Sequence, residues 1–394
     1  MYEKHQEGKV SFLRPPLEKV PSTNMTVFYN PKSELNRDMT IITLQAFINQ
    51  HNLKAIRVCT PLAGTGVRAI RIAKEVTEIQ QVIAGDANPE AVHLITENRQ
   101  LNDVANLIEV YHSGANQLLS KYASYQDRFT VIDIDPFGSP RDFFTSAINA
   151  LKAPGLLCLT ATDMPVLVGI RHRTCVKRYA AVPYKTEYAH ELALRILIGS
   201  VVREAAAHDI SLVPLLGFSV DHYLRVFCEA KEGDAAVWAS MAKVGFIFHC
   251  NECRNRSIVQ GIAPKVSCCP ECKSEKGQLI GPLWIGKFGH KPFIEKVIQQ
   301  LPSASLGTAT RISSLLSNII EEVEGPPTYY DLHQLADRIN IPIPPFRRVI
   351  NALHEEGEFC TRTHFSDHSI RTSSSNQHLT ELLIQLSQEA VNNE

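Results

Sequence analysis

Long hydrophobic runs are missing from this chain of 394 residues. A membrane-spanning helix needs an uncharged apolar stretch of about 18 residues, and none occurs. The first residues, Met1 to His5, also lack the basic and then apolar pattern of a secretory signal. We therefore expect a cytoplasmic protein that does not associate with membranes.

The chain also lacks a charge excess, since 40 Lys and Arg stand against 41 Asp and Glu, for a net charge of −1. This balance excludes a strong overall basic field, so any surface for nucleic acid must be local. Cysteine is sparse as well, because ten unevenly spread residues are too few for a disulfide framework in a chain of this length. Several of them crowd between Cys250 and Cys272, which indicates a metal site.

Short apolar runs alternate with helical stretches between residues 56 and 229, and this pattern predicts a doubly wound α/β sheet. The predicted parallel strands are residues 56–59, 81–85, 107–111, 129–134 and 156–160, and the main helices are residues 67–76, 89–101 and 187–207. Residues 212–220 and 223–230 then predict an antiparallel hairpin. Such an ending is typical of Rossmann-like class I S-adenosylmethionine (SAM) methyltransferases, whereas the last strands of a nicotinamide-binding domain run parallel.

A glycine loop follows the first predicted strand, where backbone amides and a helix N-terminus approach a bound cofactor. Gly64 and Gly66 permit that close approach. Asp86 ends the second strand, twenty positions after Gly66, and is placed to accept hydrogen bonds from a ribose diol. Gly114 and Ala115 follow the third strand, where small residues let an adenine lie on the backbone. A simple turn and an unliganded carboxylate are the alternative interpretations of the loop and of Asp86.

The segment Asp135-Pro136-Phe137-Gly138 follows the fourth predicted strand. An exocyclic amine is a poor nucleophile because its lone pair is delocalised into the ring, so an enzyme that methylates it must accept an N–H while holding the ring flat. The carboxylate of Asp135 suits the first task and the ring of Phe137 the second. The alternative is a strand that ends in an ordinary Asp-Pro turn, with Phe137 as a core residue beneath it.

Two Cys-x-x-Cys pairs, Cys250 with Cys253 and Cys269 with Cys272, are separated by fifteen residues, as in a zinc ribbon. Four thiolates leave no open coordination position, so the predicted Zn²⁺ is structural and not catalytic. Cys268 is an alternative to Cys269 with poorer spacing, and redox pairs or idle thiols are the remaining interpretations. His249 and His290 are expected to be bystanders.

The length favours two domains. We predict a methyltransferase domain over residues 1–232 and a C-terminal α+β domain over residues 233–394, with the zinc ribbon at 244–284 and a winged-helix-like unit at 293–370. Helices are predicted at residues 293–301, 312–322, 331–339 and 345–356, of which the last two have helix-turn-helix proportions. The sequence leaves the oligomeric state open, and we favour a monomer.

Basic clusters occur in both predicted domains, although each one alone is also explained as a solvated face. Together they predict a path for RNA phosphates and salt-dependent binding. The clusters are Arg171, His172, Arg173, Lys177, Arg178 and Lys185; Arg254, Arg256 and Lys265; and Lys287, His290, Lys291, Arg347 and Arg348. Glu191 and Arg195 are predicted to form an i,i+4 ion pair and not a second active site.

Four motifs resemble those of the archaeal tRNA (guanine-26-N2)-dimethyltransferases. They are residues 28–31 (Phe-Tyr-Asn-Pro), 35–38 (Leu-Asn-Arg-Asp), 63–71 (Ala-Gly-Thr-Gly-Val-Arg-Ala-Ile-Arg) and 133–140 (Asp-Ile-Asp-Pro-Phe-Gly-Ser-Pro). The resemblance extends over nearly the whole chain. It implies transfer of two methyl groups from SAM to the N2 of guanine 26 in tRNA, with the guanine extruded from the stack.

The resemblance also implies roles for individual residues. Asp135 would be the catalytic carboxylate, with Phe28 and Phe137 sandwiching the guanine. The residues implied in SAM binding are Arg37, Arg68, Asp86, Gly114 and Ala115, beside the loop glycines Gly64 and Gly66. Two departures put the SAM contacts in doubt, since Thr60 and Gly114 stand where the family usually has acidic residues.

Two other functions stay open from sequence. One is a different amino-group methyltransferase, acting on DNA adenine or a protein amide, although Phe137 stands where those enzymes usually have a second proline. The other is a non-enzymatic RNA-binding zinc protein that has kept a SAM-like fold.

Overall fold

The computed structural model describes residues 2–16 and 25–392. Its N-terminal region forms a hairpin and a long helix, β1 (Glu3–Glu7), β2 (Val10–Arg14) and α1 (Glu34–His51). None of these three elements was predicted from the sequence. No helix within the described ranges is both long and apolar enough to cross a membrane.

A seven-stranded sheet with flanking helices follows. Its elements are β3 (Ile56–Thr60), α2 (Val67–Glu75), β4 (Ile79–Asp86), α3 (Pro89–Leu101), β5 (Ile108–His112), α4 (Ala115–Lys121), β6 (Phe129–Ile134), α5 (Phe144–Ala150), β7 (Leu151–Ala161), α6 (Met164–Leu167), α7 (His172–Tyr179), α8 (Ala189–Ala206), β8 (Ile210–Val220) and β9 (Tyr223–Glu232). The strand order is β5-β4-β3-β6-β7-β9-β8. Strands β3 to β7 are parallel, and β9 runs antiparallel to both β7 and β8, which confirms the predicted sheet with its terminal hairpin.

The remaining chain contains two small sheets and six helices within the described residues. Its elements are α9 (Asp234–Met241), β10 (Val244–Cys250), β11 (Arg256–Gln260), β12 (Gly277–Trp284), α10 (Lys291–Ile298), α11 (Ala309–Glu322), β13 (Tyr330–Asp331), α12 (Leu332–Ile339), α13 (Phe346–Glu355), β14 (Cys360–Thr363), β15 (Ser366–Thr372) and α14 (Asn376–Asn392). Strands β11-β10-β12 form the sheet of the cysteine module. Strands β13-β15-β14 with α12 and α13 have the arrangement of a winged helix, as predicted.

The main hydrophobic core extends across residue 232. It includes the buried faces of the large sheet, and also Phe293 on α10 and Ile312 and Leu316 on α11. A separate, smaller core holds the winged-helix strands, α12, α13 and α14 together. Helices α10 and α11 therefore pack against the large sheet. The division of the chain into two domains at residue 232 stays a prediction.

A buried ionic cluster joins the sheet domain to the winged helix. Arg371 on β15 contacts both Glu191 on α8 and Glu322 on α11 at 2.9 Å. Glu191 also pairs with Arg195 at 2.8 Å, which confirms the predicted i,i+4 pair. All four side chains are almost completely buried, so each charge depends on the others for compensation.

Candidate active site

The carboxyl ends of β3 and β6 and the start of β9 surround a cavity of about 480 Å³, in the usual range for small-molecule sites. Six of the residues singled out from the sequence line it, namely Phe28, Arg37, Gly64, Arg68, Asp135 and Phe137. Parallel strands bring their carboxyl ends to one sheet edge, where α/β proteins bind ligands. The fold therefore brings residues separated by more than a hundred positions into one site.

Asp135 lies one residue beyond the fully buried strand β6, so its carboxylate stands at the cavity wall. One carboxylate oxygen contacts the Nη2 of Arg68. Burial alone would raise the pKa of Asp135, but the charges of Arg68 and Arg225 and a hydrogen bond from Thr160 outweigh it and lower that pKa. The carboxylate is therefore ionised and able to accept a proton or a hydrogen bond.

A backbone turn fixes the position of the aromatic residue after Asp135. The amide of Gly138 donates to the Oγ1 of Thr162 at 2.7 Å, and the amide of Thr162 donates to the carbonyl of Gly138 at 2.9 Å. Gly138 has a φ of +103°, which side-chain-bearing residues rarely adopt. These contacts fasten the Asp135–Gly138 turn to the end of β7.

Phe28 and Phe137 stand at the mouth of the cavity. Their ring centroids are 5.7 Å apart with an interplanar angle of 73°. Both rings are unusually exposed for phenylalanine, at 41% for Phe28 and 61% for Phe137. Phe137 is therefore not a core residue beneath the turn, and the two rings offer apolar surface to a planar ligand.

Polar side chains behind Asp135 form a buried network that the sequence did not reveal. Arg225 on β9 donates to Asp133 at 3.1 and 2.5 Å and to Thr160 at 2.9 Å. Arg68 donates to Asn36 at 3.1 Å and to Thr40 at 2.6 Å. Arg225 interrupts the apolar first part of β9, residues 223–228, and that interruption was the available signal for a buried ion pair.

The glycine loop reaches the cavity through Gly64. This residue has a φ of +55°, and a Cβ on it would lie 2.9 Å from the carbonyl oxygen of Phe28. The carboxylate of Asp86 accepts from the amides of Gly64 and Asn88, at 2.9 Å each. Asp86 thus holds the loop in place.

Four predicted SAM contacts are not among the described residues that line the cavity, namely Gly66, Asp86, Gly114 and Ala115. Arg37 does line it, but it also donates two hydrogen bonds to Glu7, at 2.7 and 2.6 Å. Glu7 belongs to the unpredicted hairpin, so the sequence gave no reason to expect this partner. The roles of these residues in SAM binding stay predictions.

Two buried hydroxyl groups also stand at the cavity wall, one on Thr60, which the sequence marked only as a departure from the family, and one on Tyr223, which the sequence did not reveal. The Oγ1 of Thr60 and the phenol oxygen of Tyr223 have no hydrogen-bond partner among the described residues. Thr60 ends β3 and Tyr223 begins β9. An unpartnered buried polar atom in a cavity wall indicates a ligand contact, because burial without a partner is costly.

The four predicted metal-binding cysteines converge at the end of β10. Their sulfur atoms all lie within 4.8 Å of one another, with Cys250 and Cys272 at 3.5 Å and Cys253 and Cys269 at 3.6 Å. Tetrahedral Zn–S bonds of about 2.3 Å place sulfurs roughly 3.8 Å apart, so the cluster fits a zinc ion. Cys268, His249 and His290 lie outside the cluster.

Comparison with known proteins agrees with this geometry. The family model described as N2,N2-dimethylguanosine tRNA methyltransferase matches residues 8–384. The tRNA (guanine(26)-N(2))-dimethyltransferase of Methanosphaera stadtmanae is 37% identical over 388 residues, which cover 98% of this chain and 97% of that protein. The protein of that name from Pyrococcus horikoshii is 33% identical over 382 residues, covering 93% and 94%.

A solved structure is also similar over nearly its full length. Trm1 from Pyrococcus horikoshii, in complex with S-adenosyl-L-methionine, has a TM-score of 0.84 and 32% sequence identity. The match covers 96% of this chain and 99% of that one. The present chain belongs to the N2,N2-dimethylguanosine tRNA methyltransferase family.

Proposed function

We propose that this protein transfers methyl groups from SAM to the exocyclic N2 of guanine 26 in tRNA, forming dimethylguanosine. The observation that carries the proposal is the placement of an ionised carboxylate, Asp135, in a cavity whose mouth is formed by Phe28 and Phe137. A methyl acceptor with a planar ring and an amine hydrogen fits this arrangement.

The residues of the cavity have distinct tasks in the transfer. In each round one SAM supplies an electrophilic methyl group, whose bond to sulfur breaks as the bond to N2 forms, so that S-adenosylhomocysteine is the leaving group. The carboxylate of Asp135 accepts a hydrogen bond from N2, which aligns the lone pair, and takes the N2 proton as the new bond from N2 to carbon forms. Arg68 keeps the carboxylate ionised and oriented. A second round repeats the same step with the remaining N2 hydrogen.

The donor side of the cavity has features that suit SAM. Gly64 brings bare backbone to the cavity, since a Cβ there would collide with the carbonyl oxygen of Phe28, and the unpartnered Oγ1 of Thr60 is available to a polar ligand. Arg37 would hold the methionine carboxylate through its Nη1, since its Nε and Nη2 already form a fork with Glu7. Asp86 would reach a ribose diol while it holds the loop. We retain Gly66, Gly114 and Ala115 as further predicted contacts.

A structural Zn²⁺ is part of the proposal. The donor set of Cys250, Cys253, Cys269 and Cys272 offers four sulfurs at tetrahedral spacing and no open position. These ligands would fix the connections between β10, β11 and β12 and contribute nothing to the methyl transfer.

Of the predicted basic clusters, the one on and beside α7 would bind the tRNA backbone next to the cavity. The hydroxyl of Tyr179 lies 2.7 Å from that of Ser139, which closely follows the catalytic turn, and Arg178 pairs with Asp163 of the cavity wall at 2.9 Å. The helix is thus fastened to the rim of the site. Its exposed cations Arg171, Arg173 and Lys177 form no ion pair with another described residue. They are available to phosphates beside an extruded nucleotide.

Nucleoside mass spectrometry tests the function. A tRNA transcript with guanine at position 26, treated with the protein and SAM, should yield N2,N2-dimethylguanosine, and a matched transcript with adenine 26 should not. Transfer to DNA adenine or a protein amide instead would favour the other amino-group methyltransferases. Absence of any transfer by folded, zinc-loaded protein would leave a non-enzymatic RNA-binding role. We also propose that the protein acts in the cytoplasm as a monomer.

A further inference from the structure

Tyr223 presents a buried hydroxyl group to the cavity without a protein partner. Its side chain is 6% exposed, it lines the same cavity as Asp135, and its phenol oxygen bonds no described residue. Folding thus removes this hydroxyl from water without replacing the lost hydrogen bonds. The arrangement is consistent with a group that a ligand completes.

The strand register places Tyr223 on the face that carries the catalytic carboxylate. Arg225 on β9 contacts Asp133 on β6. Tyr223 lies two residues before Arg225, and Asp135 lies two residues after Asp133. Side chains two residues apart in a strand share a face. Because β6 and β9 run in opposite directions, both moves lead towards the cavity edge of the sheet.

The charges around Tyr223 keep its hydroxyl protonated. Burial raises the pKa of the phenol, and the negative charges of Asp221 and Asp135 raise it further, outweighing the opposite effect of Arg225 and Arg311. A neutral phenol both donates and accepts hydrogen bonds. It can therefore pair with a base edge that carries an N–H donor beside a carbonyl acceptor.

We propose that the hydroxyl of Tyr223 hydrogen-bonds the N1–H and O6 edge of the guanine, next to the N2 held by Asp135. This assignment rests on the proposed function. The sugar is attached at N9 and must stay near the mouth, so the Watson–Crick edge reaches deepest, and flipped bases are read along that edge. Tyr223 thereby determines specificity for guanine, while the exposed rings of Phe28 and Phe137 contact the base without regard to its identity.

The test combines a Tyr223→Phe variant with altered bases at position 26. With guanine, the variant should lose about tenfold in kcat/KM, while its SAM affinity is unchanged and its Tm equals or exceeds that of wild type because an unpaired buried hydroxyl is gone. With 2-aminopurine, which keeps N2 but has only an N1 acceptor in place of N1–H and O6, the difference between wild type and variant should be much smaller. With 3-deazaguanine, which keeps that edge, the tenfold difference should return. Tyr125→Phe, at a tyrosine that is 75% exposed, should match wild type throughout.

Two results would overturn the assignment. Equal activity of Tyr223→Phe and wild type on guanine would remove Tyr223 from base recognition. An equal loss on guanine and on 2-aminopurine would mean that the hydroxyl acts elsewhere. Wild-type protein that transfers no methyl group to tRNA would instead contradict the proposed function itself, so the two failures are distinguishable.

Discussion

The guanidinium of Arg68 contacts the carboxylate of Asp135, and this contact joins the two halves of the site. Arg68 lies in the first turn of α2, directly after the glycine loop, whereas Asp135 follows β6 at the acceptor side. One ion pair thus connects the proposed donor loop with the proposed acceptor of the N2 proton. The same contact lowers the pKa of Asp135.

We first predict that the pH profile depends on Arg68. In Arg68→Met, burial still raises the pKa of Asp135 but the largest opposing charge is gone. The acidic limb of kcat/KM should therefore move towards neutral pH relative to wild type. Single-turnover methyl transfer measured across pH would check this, and superimposable profiles would contradict the role given to Arg68.

Acid stability should depend on Glu322, whose carboxylate is buried against His364 and Arg371. Burial would raise the pKa of Glu322, but these two partners lower it from 4.5 to about 2. The stabilisation is therefore present above pH 4.5 and is lost as the pH falls towards 2. A shift of this size corresponds to about 3 kcal/mol.

Glu322→Gln should accordingly flatten the fall of the unfolding free energy between those pH values, as measured by urea denaturation. The exposed neighbour Glu321 supplies the control, since Glu321→Gln should keep the wild-type pH dependence. Parallel curves for wild type and Glu322→Gln would show that the buried cluster does not carry the effect.

Zinc should be lost selectively when a cluster cysteine is replaced. Cys250→Ser should bind no zinc and melt several degrees lower, because a structural metal stabilises only the folded ligand set. Cys268→Ser should keep one zinc per chain and the wild-type Tm, since Cys268 lies outside the cluster. Elemental analysis with calorimetry would check both, and zinc retention by Cys250→Ser would refute the ligand assignment.

Removing the charges of α7 should weaken tRNA binding without affecting SAM. The triple variant Arg171→Ala, Arg173→Ala, Lys177→Ala should lose about tenfold or more in tRNA affinity and show a shallower salt dependence. Lys121→Ala supplies the control, because Lys121 is an exposed cation at the end of α4 and lies outside the basic clusters. An unchanged salt slope in the triple variant would place the phosphates elsewhere.

Much of the site follows from local sequence pattern. Short apolar runs locate the parallel strands, and parallel strands necessarily deliver Gly64 and Asp135 to the same edge. The cysteine spacing likewise identifies all four members of the metal cluster. These features depend on residues close together in the chain, and so a single sequence reveals them.

Other features depend on partners that no local pattern specifies. Arg37 pairs with Glu7, 30 positions earlier, through a hairpin whose strands lack a clear apolar alternation. The amphipathic pattern of α11 predicts a buried face but not that the large sheet's core covers it. Gly114 and Ala115 do not line the cavity. Small residues at a strand end indicate space for a ligand, but they do not define on which side of the strand end that space lies.

The variant Asp135→Asn tests whether Asp135 is the carboxylate that accepts the N2 hydrogen. The amide keeps the size of the side chain but cannot act as the base, so methyl transfer to guanine 26 should fall by a factor of about 100 or more. SAM and tRNA affinities should stay near wild type, and Asp142→Asn, at an exposed carboxylate nearby, should remain fully active. Single-turnover formation of N2-methylated guanosine, followed by mass spectrometry, is the measurement. Wild-type rates in Asp135→Asn would contradict the account.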